Sequence, residues 1–541
     1  MKRVIFLLLI FISFSIRASA LNISYETVIG IKGKSVLIEK FQIEKKTNYL
    51  CNLDTYACEA TKLKKLPSVG TNTKNSYTST LKSTGATHIT MSPLSDYVAY
   101  YLHNNTNQTR KLVLKNVKRD TEKYQLNNLN YWDLLNDQDS VYSFTPDGSK
   151  LIYLDDNGGN FSLYKIDTSN FDSHPFPGTL LETNTLEIHQ FMAYDNETIF
   201  YVGNTKTKPY NWNLYKYDLN TGTQKNIMED VSYTSTLRKM DNKLVFAKQE
   251  YSGYGPRVYD IKNNKIHFFD LPNINRNVSK SSESTAIIGD RYGVIMNPTT
   301  SAQTAVIWLH GGPYRQTSYG YHPYHSYGTY DSILNAMREQ GVLILKLDYS
   351  GSLGFGKEYS ESIDNNVGTK DVSDVTLAIK YLKANYGVKN VYLIGNSYGG
   401  YLSLKTTVDN SSEISGAISI NGVTDWESLL SYMGNSIFNA HFDGAPNILN
   451  KRFYNKASII KNLKNLENSK PIMIIQAEKD HTVAPWQATL LSDAMKKEKK
   501  NVTLATYPKE DHVWIYEKNI RDMCKRIFKF VDIKNNLSCI N

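Results

Sequence analysis

Gly395-Asn396-Ser397-Tyr398-Gly399-Gly400 sets a serine between glycines, directly after the apolar run Val391-Tyr392-Leu393-Ile394 and directly before Tyr401-Leu402-Ser403-Leu404. Composition alone would produce a Gly-x-Ser-x-Gly pattern roughly 0.2 times in a chain of this length. Its weight therefore comes from its place between a strand and a helix. A tight strand-to-helix turn excludes side chains on either side of the serine and holds the hydroxyl clear at the carboxyl end of a sheet. The helix N-terminus behind it favours developing negative charge.

A serine hydroxyl becomes a nucleophile when a base takes its proton and an acid orients that base. On this kind of scaffold the acid precedes the histidine. Asp480 follows the apolar run 472–475, and His512 follows the run 502–505, so both fall where a parallel sheet gathers its functional groups. Glu478 and Asp511 are rival acids, and His481 reads as a surface or loop histidine. The tetrahedral oxyanion needs backbone donors. Tyr398 N–H is one, and Leu309-His310-Gly311-Gly312-Pro313 supplies the other, because Gly311 and Gly312 free the backbone to turn an N–H inward. His310 reads as the ring that holds this loop.

These residues need a sheet alternating with helices, and the pattern after about residue 280 provides one. The runs 306–309, 342–345, 391–394, 417–420, 472–475 and 502–505 suit strands buried on both faces. Between them, Asp371 to Tyr386 places Val372, Val375, Ile379 and Leu382 on one helical face and stops at Gly387. The expectation is a mainly parallel, doubly wound sheet. Before residue 275 the chain alternates β-branched and aromatic runs with Asn, Asp, Gly and Lys turns. A unit recurs there with markers Val98, Ile152, Ile199 and Val245, at steps of 54, 47 and 46 residues, and an earlier unit lies around Val36-Leu37-Ile38. Such periods, with several strands each, predict a propeller of about five blades, a β-sandwich being the competing reading.

The chain has 541 residues, 41% apolar and 21% charged, which excludes disorder, collagen and coiled coil. A net charge of +10 is spread along the chain and predicts solubility without a nucleic-acid partner. Lys2 and Arg3, the apolar stretch Val4 to Phe14 and Ala18-Ser19-Ala20 read as a leader cleaved after Ala20, and hence as export to a periplasm or medium with no stable membrane insertion afterwards. Export favours two short disulfides, Cys51 with Cys58 and Cys524 with Cys539, over four free thiols. No close Cys or His pairs recur with ligand spacing, so no metal site is expected; His322-Pro323-Tyr324-His325 comes nearest. The domains expected are a leader at 1–20, the propeller at 21–278 and the second domain at 279–541.

Taken in order, the diverged propeller, His310-Gly311-Gly312-Pro313, Asp348-Tyr349-Ser350-Gly351-Ser352-Leu353-Gly354-Phe355-Gly356 and Gly395-Asn396-Ser397-Tyr398-Gly399-Gly400-Tyr401 resemble the prolyl oligopeptidase family of serine peptidases. The similarity is to its acylaminoacyl-peptidase and bacterial dipeptidyl-peptidase branch. It implies an α/β-hydrolase fold for the second domain, a triad of Ser397, Asp480 and His512, and Gly312 as oxyanion donor, with His310 standing where other branches carry a tyrosine donor. Val423-Thr424-Asp425-Trp426 resembles the segment lining the first specificity pocket, which makes Trp426 and Val483 candidate walls. Ser350 stands where the family has arginine, so a substrate-orienting or structural cation is missing from that position. Lys509-Glu510-Asp511-His512 replaces the family's Gly-Glu-Gly-His. The acid pairs Glu229-Asp230 and Asp155-Asp156 are of the kind that holds a substrate amine in dipeptidyl-peptidases, and read more simply as turn residues.

The function expected is hydrolysis of short peptides through an acyl-enzyme, with no metal or organic cofactor. An esterase or deacylase on the same scaffold, and a propeller binding protein with an idle hydrolase domain, are the alternatives.

Overall fold

The computed structural model describes residues 24–534, apart from 33, 43–44, 66–80, 83–85, 95, 105–108, 120, 128–141, 156–159, 171–177, 234–236, 251–252, 272–282, 299 and 435. The leader and Cys539 lie outside the described residues. Among those described, no helix is long and apolar enough to cross a membrane.

The N-terminal half is a succession of antiparallel four-stranded meanders. Ser24–Lys32, Ser35–Gln42, Lys45–Asn52 and Cys58–Thr61 (β1–β4) make the first. Thr87–Met91, Tyr97–Asn104, Thr109–Asn116 and Thr121–Asn127 (β5–β8) make the second. The third comprises Tyr142–Phe144, Lys150–Asp155, Ser162–Asp167 and Thr179–Leu180 (β9–β12). Ile188–Ala193, Thr198–Thr205, Lys208–Asp218 and Gln224–Met228 (β13–β16) form the fourth, and Arg238–Met240, Lys243–Glu250, Gly253–Asp260 and Lys265–Phe268 (β17–β20) the fifth. Every sequence marker sits on the second strand of its meander.

That strand is the most apolar because it is buried on both faces. Ala99 and Tyr101 pack with Leu151 and Tyr153, Ile152 and Leu154 with Ile199 and Tyr201, and Phe200 and Val202 with Leu244 and Phe246. Val245 and Val258 of the fifth meander pack with Val36 and Ile38 of the first, so the first meander follows the fifth in the stack. Backbone pairing seals that seam: β1 runs parallel to β19, Ser24 opposite Gly253 and Tyr25 opposite Tyr254. Cys51 and Cys58 face each other across β3 and β4 and are disulfide-bonded. Cys524 is disulfide-bonded as well.

The C-terminal half is one eight-stranded sheet. Its strands are Glu283–Ile288, Arg291–Met296, Thr304–Leu309, Leu343–Asp348, Asn390–Asn396, Gly416–Ile420, Ile472–Ala477 and Val502–Tyr507 (β21–β28), in the order β21-β22-β24-β23-β25-β26-β27-β28. From β24 to β28 all pairs are parallel. Alternate residues of each inner strand enter different cores. Ala305, Ile307 and Leu309 join one cluster, Val306 and Trp308 the other, which is why the sequence there is apolar without alternation. The first two strands escape the sequence pattern because β21 is an edge, half exposed along its length, and pairs antiparallel. The amphipathic helix runs Lys370–Tyr386 and ends at Gly387, whose φ of 65° is the left-handed stop the sequence asks for.

Candidate active site

Ser397 stands between β25 and the helix Tyr398–Asp409, with φ 57° and ψ −121°. That conformation costs a non-glycine residue about 1–3 kcal/mol and persists only where the surroundings impose it. Here they do. A Cβ on Gly399 would meet Leu309 O at 1.9 Å, and one on Gly395 would meet Gly399 O at 2.2 Å, so strand and helix touch through bare backbone. Ser397 N–H donates to Ile420 O at 2.9 Å, tying the turn to β26.

The loops after β27 and β28 bring the acid and the histidine together. His512 Nδ1 donates to Asp480 Oδ2 at 2.7 Å, which leaves Nε2 as the proton acceptor. Asp480 is buried, and its Oδ1 accepts from Thr482 N and Val483 N at 2.8 and 2.7 Å. Asn421, at the end of β26, joins the three loops: its Oδ1 accepts from Ala477 N at 2.8 Å and its Nδ2 donates to His512 O at 3.2 Å. No spacing rule singles out this asparagine.

The rival groups have other work. Asp511 Oδ1 accepts from the backbone N–H of both His481 and His512, at 3.1 and 2.7 Å, and its Oδ2 meets His481 Nδ1 at 3.0 Å. Glu478 is exposed. Glu510 is wholly buried and accepts from Ile515 N, Tyr516 N and Asn519 Nδ2. It thereby fixes the histidine loop where Lys509 and Asp511 replace glycines.

For the oxyanion donors the structure changes one assignment. Gly311 N–H donates to the Tyr327 hydroxyl at 3.0 Å, so it is not free to face a substrate; the expectation that it serves as a donor is corrected. Among the described residues, the backbone N–H groups of Gly312 and Tyr398 carry no such internal bond, which keeps both as candidate donors. His310 is buried and holds the loop: Nδ1 donates to Gly311 O at 2.7 Å, Nε2 lies 3.0 Å from Ser352 Oγ, and Tyr349 OH donates to His310 O at 2.6 Å.

Trp426 and Val483, the candidate pocket walls, are 1% and 3% exposed. Trp426 packs against Tyr398, Tyr401, Phe438 and Phe442 at ring separations of 5.5–5.7 Å. Gln487 clamps the preceding segment, its Oε1 accepting from Thr424 N and Asp425 N at 2.8 Å. The cation absent at Ser350 enters from elsewhere. Arg291 Nε donates to Asp374 Oδ1 at 3.0 Å, while Ser350 N and Oγ donate to Asp374 Oδ2 at 2.8 and 2.6 Å. Of the acid pairs, Glu229 and Asp230 are exposed, Asp230 accepts from Asn211 Nδ2, and Asp156 lies outside the described residues.

His322 is no ligand. Its Nδ1 accepts from Tyr324 N at 3.0 Å, its Nε2 donates to Gln316 O at 2.9 Å, and burial holds its pKa well below the usual histidine range. Among the described residues no group of three or more His, Cys, Asp or Glu is placed to hold a metal ion.

Residues 329–537 match the model of the prolyl oligopeptidase family. The acylamino-acid-releasing enzyme of Mus musculus is 26% identical over 239 residues, 41% of this chain and 31% of that protein. Dipeptidyl aminopeptidase BIII of Pseudoxanthomonas mexicana is 26% identical over 216 residues, 38% of this chain and 30% of the relative. The matched region thus spans less than a third of these relatives' length. Among solved structures, a puromycin-hydrolyzing peptidase of Mycobacterium tuberculosis superposes with a TM-score of 0.68 at 14% identity, covering 94% of this chain and 78% of its own. An acylaminoacyl peptidase of Pyrococcus horikoshii gives 0.57 at 15% identity, covering 94% and 95%. At such identities the likeness is one of fold: an N-terminal β domain followed by a domain built on a mainly parallel sheet.

Proposed function

We propose, from the match of residues 329–537 to the prolyl oligopeptidase family model, that this chain is an exported serine peptidase that cleaves short peptides through Ser397, His512 and Asp480. The observation that carries the reading is the 2.7 Å bond from His512 Nδ1 to a buried Asp480, on loops that Asn421 ties to the strand ends beside Ser397. Ser397 Oγ attacks the scissile carbonyl carbon as His512 Nε2 takes its proton. Asp480 fixes the tautomer and steadies the imidazolium. The oxyanion is received by the N–H groups of Tyr398 and Gly312. As the C–N bond breaks, Nε2 returns the proton to the leaving amine, and water then releases the acyl group by the same steps.

Trp426 and Val483 are walls of the pocket for the residue before the cleaved bond. The five meanders act as propeller blades, capping the site so that narrow, flexible peptides reach it and folded proteins do not. Acylaminoacyl-peptidase, dipeptidyl-peptidase and oligopeptidase specificities all fit this geometry, and the chain ends of the substrate distinguish them.

The test is a cleavage profile on free and N-blocked peptide anilides, with a fluorophosphonate probe in parallel. Wild type is expected to cleave amides and to be labelled at Ser397, and Ser397→Ala to lose at least about 10⁴-fold in kcat. Full turnover by Ser397→Ala would end this reading, and turnover of activated esters alone would replace the peptidase with an esterase.

A further inference from the structure

We propose that Tyr210, on β15 of the fourth meander, is a positioning residue for the oxyanion loop, acting through Asp348; the proposal rests on the reading that Gly312 supplies an oxyanion donor. Asp348 ends β24 and is fully buried. Its Oδ1 accepts from Thr317 N at 2.8 Å and lies 3.4 Å from His310 Nε2. Its Oδ2 accepts from Thr317 Oγ1 at 2.6 Å and from Tyr210 OH at 2.5 Å. Burial pushes the Tyr210 phenol well above its ordinary pKa, so the hydroxyl keeps its proton and donates.

The carboxylate reaches the reacting carbonyl through one ring and one peptide plane. His310 Nδ1 donates to Gly311 O at 2.7 Å. The carbonyl of Gly311 and the N–H of Gly312 belong to the same peptide, whose planarity makes them turn together. Holding the carbonyl therefore aims the N–H. The ring that does the holding is drawn to Asp348 when Nε2 carries a proton as well as Nδ1, and Tyr210 occupies one of the few hydrogen-bonding sites of that carboxylate. The hydroxyl comes from the other half of the molecule, so the β domain takes part in building the oxyanion hole as well as covering it.

The surrounding contacts keep the Tyr210 ring in place without its hydroxyl. Tyr319 and Phe355 meet it edge-on, each at 5.7 Å. Glu187, buried, accepts from Gly354 N and Gly356 N at 3.0 and 2.6 Å, and Asn204 Nδ2 donates to Gly354 O at 2.7 Å. Trp212 Nε1 donates to Gln316 Oε1 at 2.8 Å. Tyr210→Phe thus removes one hydrogen bond and leaves the ring seated.

The experiment measures kcat, KM, melting temperature and affinity for a peptide boronic acid, which binds serine as a tetrahedral adduct. Tyr210→Phe is expected to lower kcat by about 10-fold or more with KM within about twofold, and to weaken the boronic acid by the same factor as kcat/KM. Thr317→Val, which removes another donor to the same carboxylate, should repeat the pattern and serves should Tyr210→Phe fold poorly. Trp212→Phe loosens the same interface without touching Asp348; it should lower the melting temperature without the selective loss in kcat. Unchanged kcat and boronate affinity in Tyr210→Phe and Thr317→Val, or changes that track only the melting temperature as in Trp212→Phe, would overturn the proposal. If wild type were not labelled at Ser397, the reading beneath it would fall instead.

Discussion

Two Asp-His dipeptides face each other across the loops after β27 and β28, and each aspartate takes the other's histidine: Asp480 with His512 inside, Asp511 with His481 outside. Burial divides the roles, since Asp480 is 5% exposed and the outer pair lies in solvent, where such a pair adds little stability. A second carboxylate works from below. Asp371 is wholly buried, and its titration is pushed up to about 6, chiefly by burial, against the opposing effect of the hydroxyl that Tyr398 donates at 2.7 Å. The folded chain therefore binds this proton more tightly than the unfolded chain, whose carboxyl titrates near its ordinary 3.8. Stability from this group is fully present below about pH 4 and is lost as pH rises through 6, a change of about 3 kcal/mol. Asp371→Asn carries no such titration. Urea melts at pH 4 and pH 7 should show the gap between variant and wild type shifting by about that amount in the variant's favour at pH 7; parallel curves would show that Asp371 titrates normally.

The elements around the nucleophile owe their fit to absent side chains. Gly399→Ala would drive a methyl into Leu309 O and His310 O, backbone atoms of the strand that leads to the oxyanion loop, whereas Gly387→Ala meets nothing within 4 Å and must bear only its left-handed φ. The first change should cost more than about 3 kcal/mol, because neither strand nor helix can retreat, and the second about 1. Denaturant midpoints compare them, and equal losses would mean that the elbow yields. This contrast also marks what a sequence exposes. Gly395 to Gly399 is readable because local geometry demands those residues at fixed spacing, and the second strand of each meander is readable because burial on both faces leaves an apolar run. Asp480 and His512 follow from their order after two such strands. The residues that escaped notice are polar and paired at long range: Arg291 with Asp374, Asn421 with the histidine loop, Gln487 with the pocket segment, Tyr210 with Asp348. Nothing in the spacing of any of them foretells a partner tens of residues away. Gly311 shows the converse, a glycine in the right motif whose N–H a distant tyrosine has taken.

At the scale of the whole molecule, the β domain has a seam, which meets the second half through Gln249 on Tyr321 O and Phe41 against His325 rather than through Asp348. The first and fifth meanders meet through β1 and β19, paired among the described residues at Ser24 and Tyr25, and through Val36 and Ile38 against Val245 and Val258. The contacts to Asp348 and to the 354–357 segment come from the third and fourth meanders, through Asn160, Glu187, Asn204 and Tyr210. Opening the seam should therefore change what enters without disturbing what reacts. Proline at position 25 has no N–H and cannot complete the pairing of β1, which lies between β19 and β2. For Tyr25→Pro, hydrolysis of a short peptide anilide is expected to stay within about twofold of wild type, because the third and fourth meanders still hold the oxyanion loop. Cleavage of a long unfolded polypeptide such as reduced casein should rise, since a parted seam admits a chain that a sealed one turns away. Should casein cleavage stay flat while seam opening is evident from faster nicking of the first meander by an added protease, the seam is no filter. Should peptide and casein turnover fall together, the seam and the oxyanion loop are coupled after all.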